Sequence, residues 1–143
     1  MVNTSVFNKG DTLTLQRKIT EEDTALKYGS GKLEKLFATP SLVALMIEAS
    51  SKLLDDKLPE GFITVGKVAF VDHAKPTCLG EVVSLTVVVE ECGPSKIVLN
   101  MKAYDEVGLI GTGYHHRYVV NKRALLERAH KREEIIEQEQ VGY

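Results

Sequence analysis

One long apolar stretch, FATPSLVALMIEASSKLL from Phe37 to Leu54, is followed by four strand-like segments in close succession. That order restricts the fold more than any other feature of the chain. Thr39-Pro40 is a strong helix start, because a Thr hydroxyl can cap free backbone N–H groups and Pro fits the first helical position. DDKLPEG ends the helix near Leu54, since Pro59 and Gly61 do not readily continue one. The helix is mostly hydrophobic, so something must wrap it.

The wrapping material follows at once. FITVGKVAFVDHAK, GEVVSLTVVVEECG, SKIVLNMKAYDE and LIGTGYHHRYVVN are rich in β-branched and aromatic residues. Glycine and proline turn signals separate them, and they are predicted to form an antiparallel meander. Before the helix, TLTLQRKIT alternates Leu13, Leu15 and Arg17 against Thr12, Thr14 and Gln16, which predicts a further strand. EEDTALKYGSGKLEKL reads as a short helical turn with a mobile segment. KRALLERAHKREEIIEQEQ is charged and helix-prone, with Glu127 and Lys131 at i,i+4 and a narrow apolar face of Leu125, Leu126, Ala129, Ile135 and Ile136. It reads as a peripheral helix that frays at its end. The expected fold class is therefore α+β over a single domain, 1–143. One long helix is wrapped by a five-stranded antiparallel sheet, with a peripheral C-terminal helix. Such a sheet has exposed edges, and pairing with a second subunit covers them.

Charge and composition exclude several partners. A net charge of −2 gives no broad attraction to nucleic acid or an anionic membrane. No apolar run is long enough to span a bilayer. MVNTSVFNKGD lacks a basic region followed by an apolar one, so no secretory signal is read there. Cys78 and Cys92 are far apart without CxxC spacing and read as inert reduced thiols of a cytoplasmic protein. His115 and Arg117 share one strand face and His116 takes the other, with no third ligand nearby, so no metal site is expected.

The chemistry-bearing residues each admit two readings. On the helix, Leu42, Leu45, Met46, Ala49 and Leu53 cluster on one side, with Ile47 and Leu54 extending it. Glu48 falls with Lys52 on the other side, in the favourable Glu-then-Lys order. It is a solvated or interface ion-pairing residue, or an active-site acid on a face that a partner covers. His73 ends a strand before Pro76 and is either a surface histidine or a general acid or base. Alternation sends neighbouring Asp72 to the opposite face. Gly66 interrupts a β-branched strand, which marks a bulge or the close approach of another group. Leu33, Leu36 and Phe37 have the spacing of ordinary core packing.

Three segments, LFATPSLVALMIEAS, LPEGFITVGKVAFVDHAKPTCLGEVV and AYDEVGLIGTGYHHRYVVNK, together resemble the hot-dog-fold thioesterases of the fluoroacetyl-CoA thioesterase type. The similarity runs from about Gly29 to Lys122 and keeps the family's order. It implies a homodimer, or a higher oligomer of such dimers, with acyl-thioester sites at the subunit interface. It implies a catalytic Thr, His and Glu, of which the first two fall on Thr39 and His73. The family's acid lies eight residues after the Thr, where this chain has Ile47. Glu48 is one residue further. At about 100° per residue, eight positions place a side chain roughly 80° from Thr39 and nine place it roughly 180° away. Glu48 is therefore carried as a catalytic candidate only if the helix is rotated or bulged relative to its relatives, or if a partner subunit covers its face.

The resemblance further implies that Gly66 lies close to the thioester. It makes the segment before the helix a lid over an acyl pocket, with Phe37 and Leu33 contacting substrate. Family members use phenylalanines in this region to select the fluorinated acyl group, and here Leu33 and Leu36 stand beside Phe37. Arg117, or basic residues such as Lys122 and Arg123, would contact coenzyme A, and a solvated basic edge is the other reading of Lys122 and Arg123. The expected function is hydrolysis of a small or medium acyl-CoA, without cofactor, metal, nucleic acid or membrane. The alternative is a hot-dog protein that binds an acyl-CoA without turnover, in keeping with Ile47.

Overall fold

The computed structural model describes residues 6–141. The start of the segment read for a leader, residues 1–5, lies outside them. Strand β1 (Thr12–Lys18) comes first, then two short 3-10 turns, helix α1 (Thr39–Leu54), strands β2 (Phe62–His73), β3 (Val82–Cys92), β4 (Lys96–Tyr104) and β5 (Leu109–Asn121), and helix α2 (Lys122–Val141). The five strands form one sheet in the order β1-β3-β4-β5-β2, and every neighbouring pair is antiparallel. One helix is wrapped by one sheet, as expected.

The order corrects the predicted four-strand meander. Only β3, β4 and β5 form it. β2 pairs with β5 at the far edge of the sheet, from Phe62↔Asn121 to His73↔Gly111. The connections explain the difference. Gly93-Pro94-Ser95 and the turn at Asp105–Gly108 are hairpin-length. The link from Ala74 to Glu81 is longer and carries Pro76. It crosses the fold instead of turning back, and on the way it bridges the pre-helix segment through Leu36↔Cys78.

Helix α1 presents Leu42, Leu45, Met46, Ala49, Leu53 and Leu54 to the sheet. They meet Val83, Leu85, Val87 and Val89 of β3 and Ile97, Leu99, Met101 and Ala103 of β4 in one continuous core. Burial of each large aliphatic side chain is worth about 1.5–3 kcal/mol relative to exposure, so this stripe fixes the helix's rotation. Ile47 does not extend the stripe as expected: it is 38% exposed. It shares its helix face with Leu54, about 20° away in rotation, but Leu54 at the C-terminal end is fully buried while Ile47 in the middle of the helix is not.

Helix α2 departs from the end of β5, where the Asn121 side chain caps the Ala124 N–H at 3.0 Å. Residues Leu126 to Glu139 are all exposed. No helix among the described residues is long and apolar enough to cross a membrane.

Candidate active site

The segment before α1 is pinned on both sides. Thr24 bridges Phe37, the Phe37 N–H donates to the Thr77 carbonyl at 2.8 Å, and the Ala38 N–H donates to the Asp23 carbonyl at 2.9 Å. These bonds hold Ala38 extended, at φ −80° and ψ 145°, and α1 begins from it. Ala38 is therefore the N-cap, not Thr39, and Pro40 follows Thr39 within the first turn. No side chain caps this helix. The Thr39 hydroxyl is left free of the capping role expected of it.

It meets His73 instead. Thr39 Oγ1 lies 2.8 Å from His73 Nδ1. The alternation of β2 turns His73 to the inner face, toward the start of α1, and Asp72 to the outer one. Phe37 contacts the imidazole edge-on, with ring centroids 5.9 Å apart and planes at 70°. The other ring nitrogen, Nε2, is buried and has no hydrogen-bond partner among the described residues. Burial holds the His73 pKa below its usual value, against a smaller upward pull from the Lys75 backbone. The ring is accordingly neutral at pH 7. With Nδ1–H donated to Thr39, Nε2 carries a lone pair and is a base; with Thr39 donating, Nε2–H is an acid.

A cavity of about 250 Å³ opens beside this pair, lined by Leu33, Leu36, Phe37, Thr39, His73 and Lys75 among others. Phe37 is a buried wall and Leu33, 61% exposed, stands at the mouth. Thr39, His73, Phe37 and Leu33, four of the residues singled out in the sequence, thus share one cavity. Lys75 and Pro76 join them. Neither was singled out as a site residue, although Lys75 stands only two positions after His73.

Glu48, Gly66 and Arg117 lie elsewhere. Glu48 binds Arg17 at 2.8 Å and Lys52 at 3.3 Å, and Arg17 also reaches Asp23 at 3.4 Å. The carboxylate ties α1 to β1 and hydrogen-bonds neither Thr39 nor His73 within the chain. Gly66 sits at a β-bulge, where the register with β5 shifts between Gly66 and Val68. A Cβ there would come within 2.8 Å of His115 Cε1 and 3.3 Å of Arg117 Nη1. The missing side chain makes room for those two.

Arg117 is 4% exposed. Its Nε and Nη2 donate to Thr64 Oγ1 and the Thr64 carbonyl, both at 2.8 Å. Nη1 donates to His115 Nε2 at 3.1 Å, and His115 Nδ1–H donates to the Val68 carbonyl at 2.9 Å. The Thr64 hydroxyl passes the chain on to Asp55 Oδ1 at 2.6 Å. Burial lowers the pKa of both His115 and Arg117, with Asp55 opposing it at Arg117. Thr64 and Asp55 went unnoticed in the sequence; the only signal was a polar residue on the inward phase of an apolar strand. Among the described residues, no group of three or more His, Cys, Asp or Glu is placed to hold a metal ion.

Comparisons with known proteins agree with this architecture. The family described as fluoroacetyl-CoA-specific thioesterase matches residues 19–123. A hot-dog-like protein from Thermanaerovibrio acidaminovorans is 33% identical, with a TM-score of 0.84, over 89% of this chain and 93% of that one. A thioesterase superfamily member from Thermus thermophilus is 25% identical, with a TM-score of 0.81, over 90% of this chain and 96% of that one. The fluoroacetyl-CoA thioesterase FlK shares the fold, at 22% identity and a TM-score of 0.81, over 87% of this chain and 96% of that one. Among curated proteins the chain has no match.

Proposed function

The chain belongs to the fluoroacetyl-CoA-specific thioesterase family, and from that premise we propose that it hydrolyses a small or medium acyl-CoA to the carboxylic acid and free thiol. The observation that carries this reading is the Thr39–His73 pair with its unpartnered, buried Nε2 beside an apolar cavity. A polar atom buried without a partner is costly, and a small turn of the ring toward the adjoining cavity would let a water or substrate group complete it.

The chemistry follows from the placement. The acyl group lies against Leu33, Leu36 and Phe37, and the carbonyl sits at the N-terminus of α1. Free N–H groups and the helix dipole there stabilise the developing oxyanion. Thr39 holds the imidazole through Nδ1. Nε2 takes a proton from water as the water oxygen bonds to the carbonyl carbon. The C–S bond then breaks, and the proton passes to the leaving thiolate. Among the described residues no carboxylate hydrogen-bonds this pair: the resemblance places the family's acid at Ile47, and Glu48 is held by Arg17 and Lys52.

The same reading makes the molecule a homodimer, or an oligomer of dimers, built as one hot-dog domain per chain. Edge strand β2 leaves Val68 and Phe70 41% and 50% exposed, and a second copy would cover them. The acetyl-CoA complex of an FlK variant shows that a protein of this fold accommodates such a ligand. Free Cys78 and Cys92 fit a cytoplasmic location.

Ile47 supports one other reading, a hot-dog protein that binds an acyl-CoA without turnover. Thiol release from a panel of acyl-CoAs of increasing chain length separates the two. Turnover with a short or medium chain, lost by about 10²–10⁴-fold in His73→Ala, is expected of the enzyme. Measurable binding of CoA with no turnover of any chain establishes the binding protein.

A further inference from the structure

Helix α2 projects from the body with residues Leu126 to Glu139 exposed, whereas most helical stability in proteins comes from packing an apolar face against a neighbour. Its sequence carries a seam. Lys122, Leu125, Ala129, Arg132, Ile136 and Glu139 recur at alternating steps of three and four, the spacing of coiled-coil core positions. Read against itself in reverse, the seam is complementary layer by layer. Lys122 meets Glu139, Leu125 meets Ile136, and Ala129 meets Arg132, the small residue leaving space for the long one. Read in parallel, it stacks Lys122, Arg132 and Glu139 each on its own like charge. Among the described residues, none of these three charged side chains is ion-paired; the pairs along the helix are Arg123–Glu127 and His130–Glu133.

We propose that α2 pairs antiparallel with α2 of a second copy of this chain, in the register that sets Lys122 against Glu139. The arrangement is two-fold symmetric, so one seam serves both copies. With only Leu125 and Ile136 as large apolar members, the pair is a clasp that adds to other contacts between copies.

The test uses full-length protein with one nitroxide at Glu134→Cys, in a Cys78→Ser, Cys92→Ser background, read by pulsed dipolar EPR. An antiparallel pair in this register offsets the two labels by about 10 Å along the axis and about 10 Å across it. An inter-copy distance within about 25 Å is therefore expected. Lys122→Glu should abolish that distance, and adding Glu139→Lys should restore it. Absence of a short distance, a distance unmoved by Lys122→Glu, or failure of the second change to restore it overturns the proposal.

Discussion

Two histidines face the inside of neighbouring strands, His73 at the end of β2 and His115 within β5, and their surroundings are completed differently. His115 uses both ring nitrogens, one on the Val68 carbonyl and one on Arg117, in a network that runs on through Thr64 to Asp55. His73 uses one nitrogen on Thr39 and leaves the other buried and unpaired. Both pKa values are lowered, chiefly by burial. The difference is one of valence. A satisfied network holds structure together, whereas a buried polar atom left without a partner beside a cavity is where a small shift of the ring lets a ligand complete the bonding.

That contrast can be broken from either side. Arg117→Met removes the centre of the satisfied network and leaves His115 and Thr64 without their buried donor. A stability loss of about 3 kcal/mol is expected from chemical denaturation. A variant as stable as the parent would deny the network its structural role. Thr39→Val removes the bond that orients His73. Turnover should fall about 10-fold while stability changes by less than about 0.5 kcal/mol, because Thr39 is exposed and caps nothing. A large loss of stability with unchanged kcat would place Thr39 with the scaffold. Glu48→Gln should have the smallest effect, leaving kcat within about two-fold and costing less than about 1 kcal/mol, as for a half-exposed ion pair screened by solvent. A severe loss of kcat would show that the carboxylate reaches the reaction after all.

How much of this the sequence could show depended on the range of the interaction. Helix α1 ended at Leu54 as expected, because Pro59, Gly61 and the apolar period are local signals. The strands were equally legible, but the position of β2 was not. Local pattern reads a strand's existence, while its neighbour depends on how the Ala74–Glu81 link crosses the fold. The same limit applied at the site. The Thr39, Gly66 and His73 motifs were visible, and helix geometry separated Glu48 from Thr39. That Ala38 takes the N-cap was hidden, since it depends on bonds from Asp23 and Thr77. Gly66 read equally well as bulge or ligand contact, and only the structure located the bulge and set His115 and Arg117 beside it.

The pH dependence of kcat/KM for the best acyl-CoA substrate tests the role of His73 most directly. Because burial lowers the folded-state pKa from 6.5, the base form is present throughout neutral pH. Activity should therefore stay level at neutral pH and fall only as the pH drops below the usual histidine value. The sign for stability is the same: a depressed folded pKa contributes in full above 6.5 and is lost as pH falls toward the folded value. A single protonation step below 6.5, absent from the residual activity of His73→Gln, is the expected result. An acid limb that persists unchanged in His73→Gln would contradict the assignment of His73 as the base.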